Sequence, residues 1–222
     1  MKNKTLKAFT LAETLITLSI IGVVASITVP TLMSNFQKKA VESKVIKFYS
    51  MMQNAIKMST VDNGPYEEWI FDESIFSKSG QYSTFEQNKK YLEKYILPYI
   101  KYKSIEKADN YNRVIIKLQD GSTVIYSYQT DQGWGLEALM MFTLIVDGNI
   151  KNYSNHNRFT FMSDKDTLLK PFDVQWNGNR NDLFTHSAWG CKTGVWDGHK
   201  NPLYCAKLLQ LNNWKIPDDY PW

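Results

Sequence analysis

The chain has 222 residues, 26 lysines and arginines against 22 acidic residues, and a formal net charge of +4. At roughly 100–200 residues per domain this is one domain, or one domain with an appendage. A hydrophobic share of 43% with 14% aromatic residues excludes intrinsic disorder, and two cysteines exclude a disulfide-dense scaffold or an all-cysteine metal cluster.

The position of the charge excludes a further class. Lys2, Lys4 and Lys7 precede an apolar segment, and five lysines against Glu42 follow it between positions 38 and 60. Residues 61–222 hold 18 basic and 20 acidic side chains. The basicity therefore flanks one N-terminal segment, which is a membrane-orientation pattern and not a nucleic-acid-binding stripe. No nucleic acid is expected as a partner.

Residues 14–37 carry no charge, and about 20 apolar residues suffice to cross a bilayer core. The lysines ahead of the segment orient the N-terminus to the cytoplasm and the remainder to the far side. A cleaved secretory signal ending at Val23-Val24-Ala25, with Ser26 as the mature start, is the plain alternative. Against it, the apolar run continues through Ile27, Val29, Leu32 and Met33 into a helical pattern. Glu13 also stands at the edge of the run, where a carboxylate is costly: about 2.5–3.5 kcal/mol for Asp at a helix centre. Such a charge marks a functional residue, unless it merely snorkels to the headgroups or accepts a hydrogen bond at the helix start.

Lys7-Ala8-Phe9-Thr10-Leu11-Ala12-Glu13 and the apolar run after it resemble the type IV prepilin signal. That signal belongs to type IV pilins, minor pilins and the pseudopilins of type II secretion. The resemblance covers residues 1–35. It implies cleavage after Ala8, where the family usually has glycine, and N-methylation of Phe9 as the new N-terminus. Glu13 becomes the fifth mature residue, neutralising the α-amine of Phe9 on an adjacent copy. Pro30 falls where many members carry a helix-kinking proline. The partners implied are other pilin or pseudopilin subunits, a prepilin peptidase, an assembly ATPase, an inner-membrane assembly platform and the lipid bilayer. No cofactor is implied.

Beyond the membrane half, Phe36, Ala40, Val41, Val45, Phe48, Tyr49, Met52, Ala55 and Ile56 recur in steps of three and four, an amphipathic helix. Met51, Met52 and Met58 read as core. Asn63-Gly64-Pro65 is a stop. The expected organisation is a leader at 1–8, a long helix at 9–59 with its transmembrane half at 9–35, and an extracytoplasmic globular head at 60–222. Such a helix is about 75 Å long at 1.5 Å per residue.

Residues 66–110 read as a mostly helical, aromatic connector, with a helix between Phe85 and Tyr102 ending near Pro98. A hairpin follows: Arg113–Leu118, the turn Asp120-Gly121, and Thr123–Tyr128. Further strands fit Leu139–Val146 and Arg158–Met162, with a polar loop at 148–157 between them. A helix first and antiparallel strands afterwards predict an α+β fold, the sheet laid over the C-terminal half of the helix. With the resemblance, this is the pilin-like arrangement.

Asp147-Gly148-Asn149, with Asn152 and Asn155, resembles a turn of pilin-like heads, some of which bind Ca²⁺ in a head loop. Asp147 and Asn149 are thus weak Ca²⁺ candidates, but Asp147 is the lone carboxylate there and a plain turn is favoured. Cys191 and Cys205 lie in the part expected to be exported, where an oxidising compartment favours a disulfide. Reading them with His186 and His199 as a zinc set is the minor alternative, since the spacings match no compact ligand pairing. The chain ends in a short helix from Cys205 and an extended tail whose Trp214, Tyr220 and Trp222 are expected to cover the sheet. No catalytic motif emerges, and Asp218 and Asp219 make a poor acid/base pair.

The function expected is that of a structural subunit, a minor pilin or pseudopilin, and not of an enzyme. It would be a single-pass inner-membrane protein with its head in the periplasm or at the cell surface, entering a type IV pilus or a type II secretion pseudopilus. The alternative is a signal-anchored binding module that never polymerises.

Overall fold

The first element is a helix, α1 (Leu11–Asn63), that carries Pro30 within it. The computed structural model describes residues 10–70, 75, 83–108, 112–130, 138–151, 154–164, 167–196 and 198–222. Two compact units divide the chain, Met1–Ala40 and Val41–Trp222.

In the second unit, α1 buries Val45, Phe48, Met52, Ala55 and Ile56, each at most 2% exposed. Their spacing of three and four keeps them on one side of the helix. Met58 departs from the expected core stripe: two positions past Ile56 it turns outward and is 55% exposed. Gly64, with φ of +83°, ends the helix in the left-handed conformation that glycine adopts without steric cost. A short helix, α2 (Tyr66–Ile70), then tucks Tyr66 and Trp69 inward.

Helix α3 (Phe85–Tyr95) begins in a capping box, with Thr84 and Gln87 each accepting a hydrogen bond from the other's backbone N–H. Its buried side, Tyr91, Leu92 and Tyr95, stacks Tyr95 on Trp69 at 4.7 Å and Tyr91 on Tyr126 at 5.9 Å. A 3-10 turn at Leu97–Tyr99 breaks the run at Pro98.

Six antiparallel strands follow as a meander in sequence order: β1 (Tyr102–Lys107), β2 (Val114–Leu118), β3 (Thr123–Thr130), β4 (Ala138–Ile145), β5 (Arg158–Asp164) and β6 (Thr167–Pro171). The fold is α+β and pilin-like. Strand β1 corrects the helical reading of the connector. It is an outer strand, exposed or half-buried on both faces, and so shows no alternation of apolar residues. The β2–β3 turn needs Gly121 at φ +84°, and Asp120 accepts from the Ser122 N–H and hydroxyl there.

One face of the sheet, with Val114, Ile116, Val124, Tyr126, Phe142 and Phe161, belongs to a core shared with α1 and α3. Phe48 meets Phe161 with ring centroids 5.3 Å apart. Each such buried side chain contributes about 1.5–3 kcal/mol. Lys44 and Glu42 add polar ties from α1, to the carbonyl of Val146 and the N–H of Ile216 (both 2.7 Å).

Past the sheet come α4 (Asp182–Thr185), a small ribbon of β7 (Val195–Trp196) with β8 (His199–Lys200), and α5 (Cys205–Leu211). Helix α5 packs against β5 and β6. The tail is strapped down: Tyr220 is 5% exposed and donates to the carbonyl of Asn155, and Asn155 Nδ2 donates to the carbonyl of Pro221. Trp214 packs on Tyr49 and Phe161, while Trp222 stacks on His156 at 4.8 Å. Of the three tail aromatics Tyr220 is thus buried in the core, while Trp214 and Trp222 are half-buried against it.

Candidate functional site

The first turn of α1 is built by Thr10 and Glu13. The Thr10 backbone N–H and hydroxyl both donate to Glu13 Oε2 at 2.8 Å, and the Glu13 N–H donates to Thr10 Oγ1 at 3.2 Å. This reciprocal box satisfies helix-start donors that have no partner within the helix, and it sets the carboxylate against the positive end of the helix dipole. Both bonds fall on Oε2, so Oε1 remains exposed as an acceptor. Ala8 and Phe9, the expected processing residues, lie outside the described residues.

From Leu11 to Ile27 the large apolar side chains have no cover. Leu11 is 78% exposed, and Leu15, Ile16, Leu18, Ile20, Ile21, Val23, Val24 and Ile27 are all exposed. A helix this long and apolar has the length and composition to cross a membrane. Its hydroxyls stay within the helix: Thr14, Thr17, Ser19, Ser26 and Thr28 donate to carbonyls three or four residues back at 2.7–2.9 Å. That satisfaction lets serine and threonine face lipid at little cost. Pro30 has no N–H to give the carbonyl of Ser26, which opens the ladder at one place.

In the head, Cys191 and Cys205 are joined in a disulfide with Cα atoms 4.8 Å apart, both buried. The zinc reading fails there, because the bonded sulfurs are no longer thiolate ligands. His186 instead accepts at Nδ1 from the N–H groups of Ala188 and Trp189 and stacks on Trp189. Asp147 Oδ1 accepts from the Asn149 N–H at 2.8 Å, and Asn149 Oδ1 from the Lys151 N–H at 3.1 Å, so both side chains are engaged in turns. Asn152 lies outside the described residues. Among the described residues, no group of three or more His, Cys, Asp or Glu comes together as a metal site.

Two arrangements were not legible beforehand. Arg180 grips Asp219 with two bonds, 2.6 and 2.8 Å, across a sequence separation of 39. That bond holds Asp219 below the usual carboxylate range. The second is a cavity against the sheet that gathers residues from strands and loops far apart in sequence. Neither has a local pattern to announce it.

The profile of a family described as "Family of unknown function (DUF6613)" matches residues 31–222. The chain is also 35% identical over 66 residues to the type II secretion system core protein G of Aeromonas hydrophila, covering 30% of this chain and 46% of that protein. Over 60 residues it is 40% identical to the Escherichia coli (strain K12) protein of the same name, 27% of this chain and 41% of that one. The chain thus spans less than half the length of these curated relatives. No solved structure matches it.

Proposed function

The chain belongs to the DUF6613 family, and from that starting point we propose that it is a pilin-like structural subunit. In this reading it is a minor pilin or pseudopilin, anchored in the inner membrane with its head on the far side. The observation that carries the reading is the first turn of α1: a carboxylate placed by a capping box at the head of a helix whose large apolar residues from Leu15 to Ile27 are uncovered. The partial likeness to type II secretion core proteins supports it.

The chemistry follows from where the donors sit. Cleavage after Ala8 makes Phe9 an ammonium one residue before Thr10. Glu13 Oε2 is taken by its own helix start, while Oε1 accepts from the Phe9 ammonium of a neighbouring copy. In the low dielectric of packed apolar helices this pair is far stronger than in water. A lone carboxylate there is costly, so the charge favours the assembled state over the solitary one. Prepilin peptidase and the inner-membrane platform are the partners this scheme requires. The head presents no catalytic role in it.

Mass spectrometry of the mature N-terminus in the native host tests the proposal. A methylated Phe9 start is expected. A chain beginning at Met1 would mean a simple anchor, and one beginning at Ser26 a secreted protein; either overturns the reading.

A further inference from the structure

The sequence holds Asn-Gly twice, at 63–64 and at 177–178, and the fold treats the two asparagines differently. Asn63 is the last residue of α1 and half-buried. Its Nδ2 donates to Ser59 Oγ at 3.1 Å and to Tyr99 Oη at 3.3 Å, which ties the side chain back along the helix. Asn177 and Gly178 both lie exposed between β6 and α4. Asn177 Oδ1 accepts from the Asn179 N–H at 2.8 Å, a turn closed by the side chain. That turn folds the Asn177 Cγ over the peptide unit of Gly178.

The surroundings of the glycine nitrogen complete the arrangement. Gly178 adopts φ of +86°, and the space where a β-carbon would stand is empty within 4 Å. Among the described residues its N–H makes no hydrogen bond. By contrast Gly121 and Gly148, which follow Asp120 and Asp147, donate to the carbonyls of Leu118 and Ile145 at 3.3 and 3.2 Å. Asn149 and Asn179 cap the same kind of turn, accepting from the N–H groups of Lys151 and Asn181. There Ile150 and Arg180 put a side chain beside the next nitrogen.

We propose that Asn177 is a site of self-modification by deamidation, with water as the co-reactant. The Gly178 nitrogen attacks Asn177 Cγ. The N–Cγ bond forms, the Cγ–Nδ2 bond breaks, and the displaced amide leaves as ammonia with the proton of the Gly178 N–H. Negative charge develops on Oδ1, where the Asn179 N–H already stands as a fixed donor. Water then opens the five-membered imide, at Cγ to give aspartate or at the backbone carbonyl to give isoaspartate. Either product puts a carboxylate into the loop whose Arg180 clamps Asp219. Isoaspartate also adds a carbon to the backbone that the bond from Trp176 Nε1 to the Asn179 carbonyl closes. The loop thus changes its charge once, without an enzyme. This inference is independent of the assembly reading.

Incubation of the full chain in detergent micelles at neutral and mildly alkaline pH, followed by peptide mass spectrometry, tests it. A gain of one mass unit is expected at residue 177, while Asn63, Asn149 and Asn179 remain amides. Conversion should be faster at the higher pH, because the attacking nitrogen must shed its proton. Electron-transfer fragmentation should resolve aspartate from isoaspartate. In chain unfolded by urea, Asn63 should convert alongside Asn177, since its ties to Ser59 and Tyr99 are then gone. Gly178→Ala, which crowds the attacking nitrogen, should slow conversion at residue 177 about tenfold. An amide that persists at residue 177 in the folded chain while the unfolded chain converts overturns the proposal. So does conversion of Asn63 as fast as Asn177 in the folded chain, or a rate at residue 177 unmoved by Gly178→Ala.

Discussion

Arg180 and Asp219 are exposed, yet their two-point contact pins the last residues of the chain beside Tyr220 and Trp222. The guanidinium lowers the Asp219 carboxyl from its ordinary value. A depressed carboxyl pKa contributes stability that is present above the unfolded value, about 3.9, and lost as pH falls through the folded one. Amide exchange in residues 216–222 should therefore be pH-insensitive, beyond its intrinsic rate, from neutrality to about pH 5 and quicken below about pH 4. Asp219→Asn should show the quickened exchange already at pH 7, with global stability little changed because exposed pairs are weak. Equal protection in both proteins at pH 7 would mean that Tyr220 and Trp222 hold the tail without the ion pair. Residues such as these escaped the sequence reading because the partner lies 39 positions away. Glu13 did not, because a lone charge beside an uncharged run is a local anomaly.

Elements were legible to the degree that burial wrote a period into them. The buried stripe of α1 from Val45 to Ile56 and the β2–β3 hairpin both show in the spacing of apolar residues, and Gly121 marks the turn. Strand β1 has no such stripe, and β6 is a five-residue edge after β5; both were missed for want of alternation. The segment between Cys191 and Cys205 has little regular structure of its own, so the disulfide closes a loop that the unfolded chain would otherwise sample widely. In the chain-entropy account a loop of this size is worth roughly 3 kcal/mol. The Cys191→Ala/Cys205→Ala double variant should accordingly unfold about 6–12 °C lower in oxidising buffer. Reducing agent should lower the parent by a similar amount and leave the variant unmoved. An unchanged melting temperature in the variant would show that packing of the surrounding residues fixes the segment without the bond.

Across the whole molecule the chain divides at Ala40, so the second half of α1 belongs to the unit that holds the sheet. Among the described residues, every large buried apolar side chain lies in that unit, whereas the uncovered apolar helix surface is concentrated before it. Deleting residues 1–35 should therefore leave a soluble monomer by size-exclusion chromatography; aggregation at low micromolar concentration in oxidising buffer would contradict that division. What remains is the role of the uncovered helix. A simple anchor needs only lipid, while a subunit needs a second copy's ammonium at Glu13. Glu13→Gln preserves shape and hydrogen bonding, removes the ionic pair, and lowers the cost of residence in lipid. Crosslinking of parent and Glu13→Gln chains in envelopes of the native host separates the two roles most directly. The assembly account predicts equal membrane insertion, persistent cleavage after Ala8, and a clear loss of self- or partner crosslinks in the variant. Crosslinks as abundant in the variant as in the parent would contradict it.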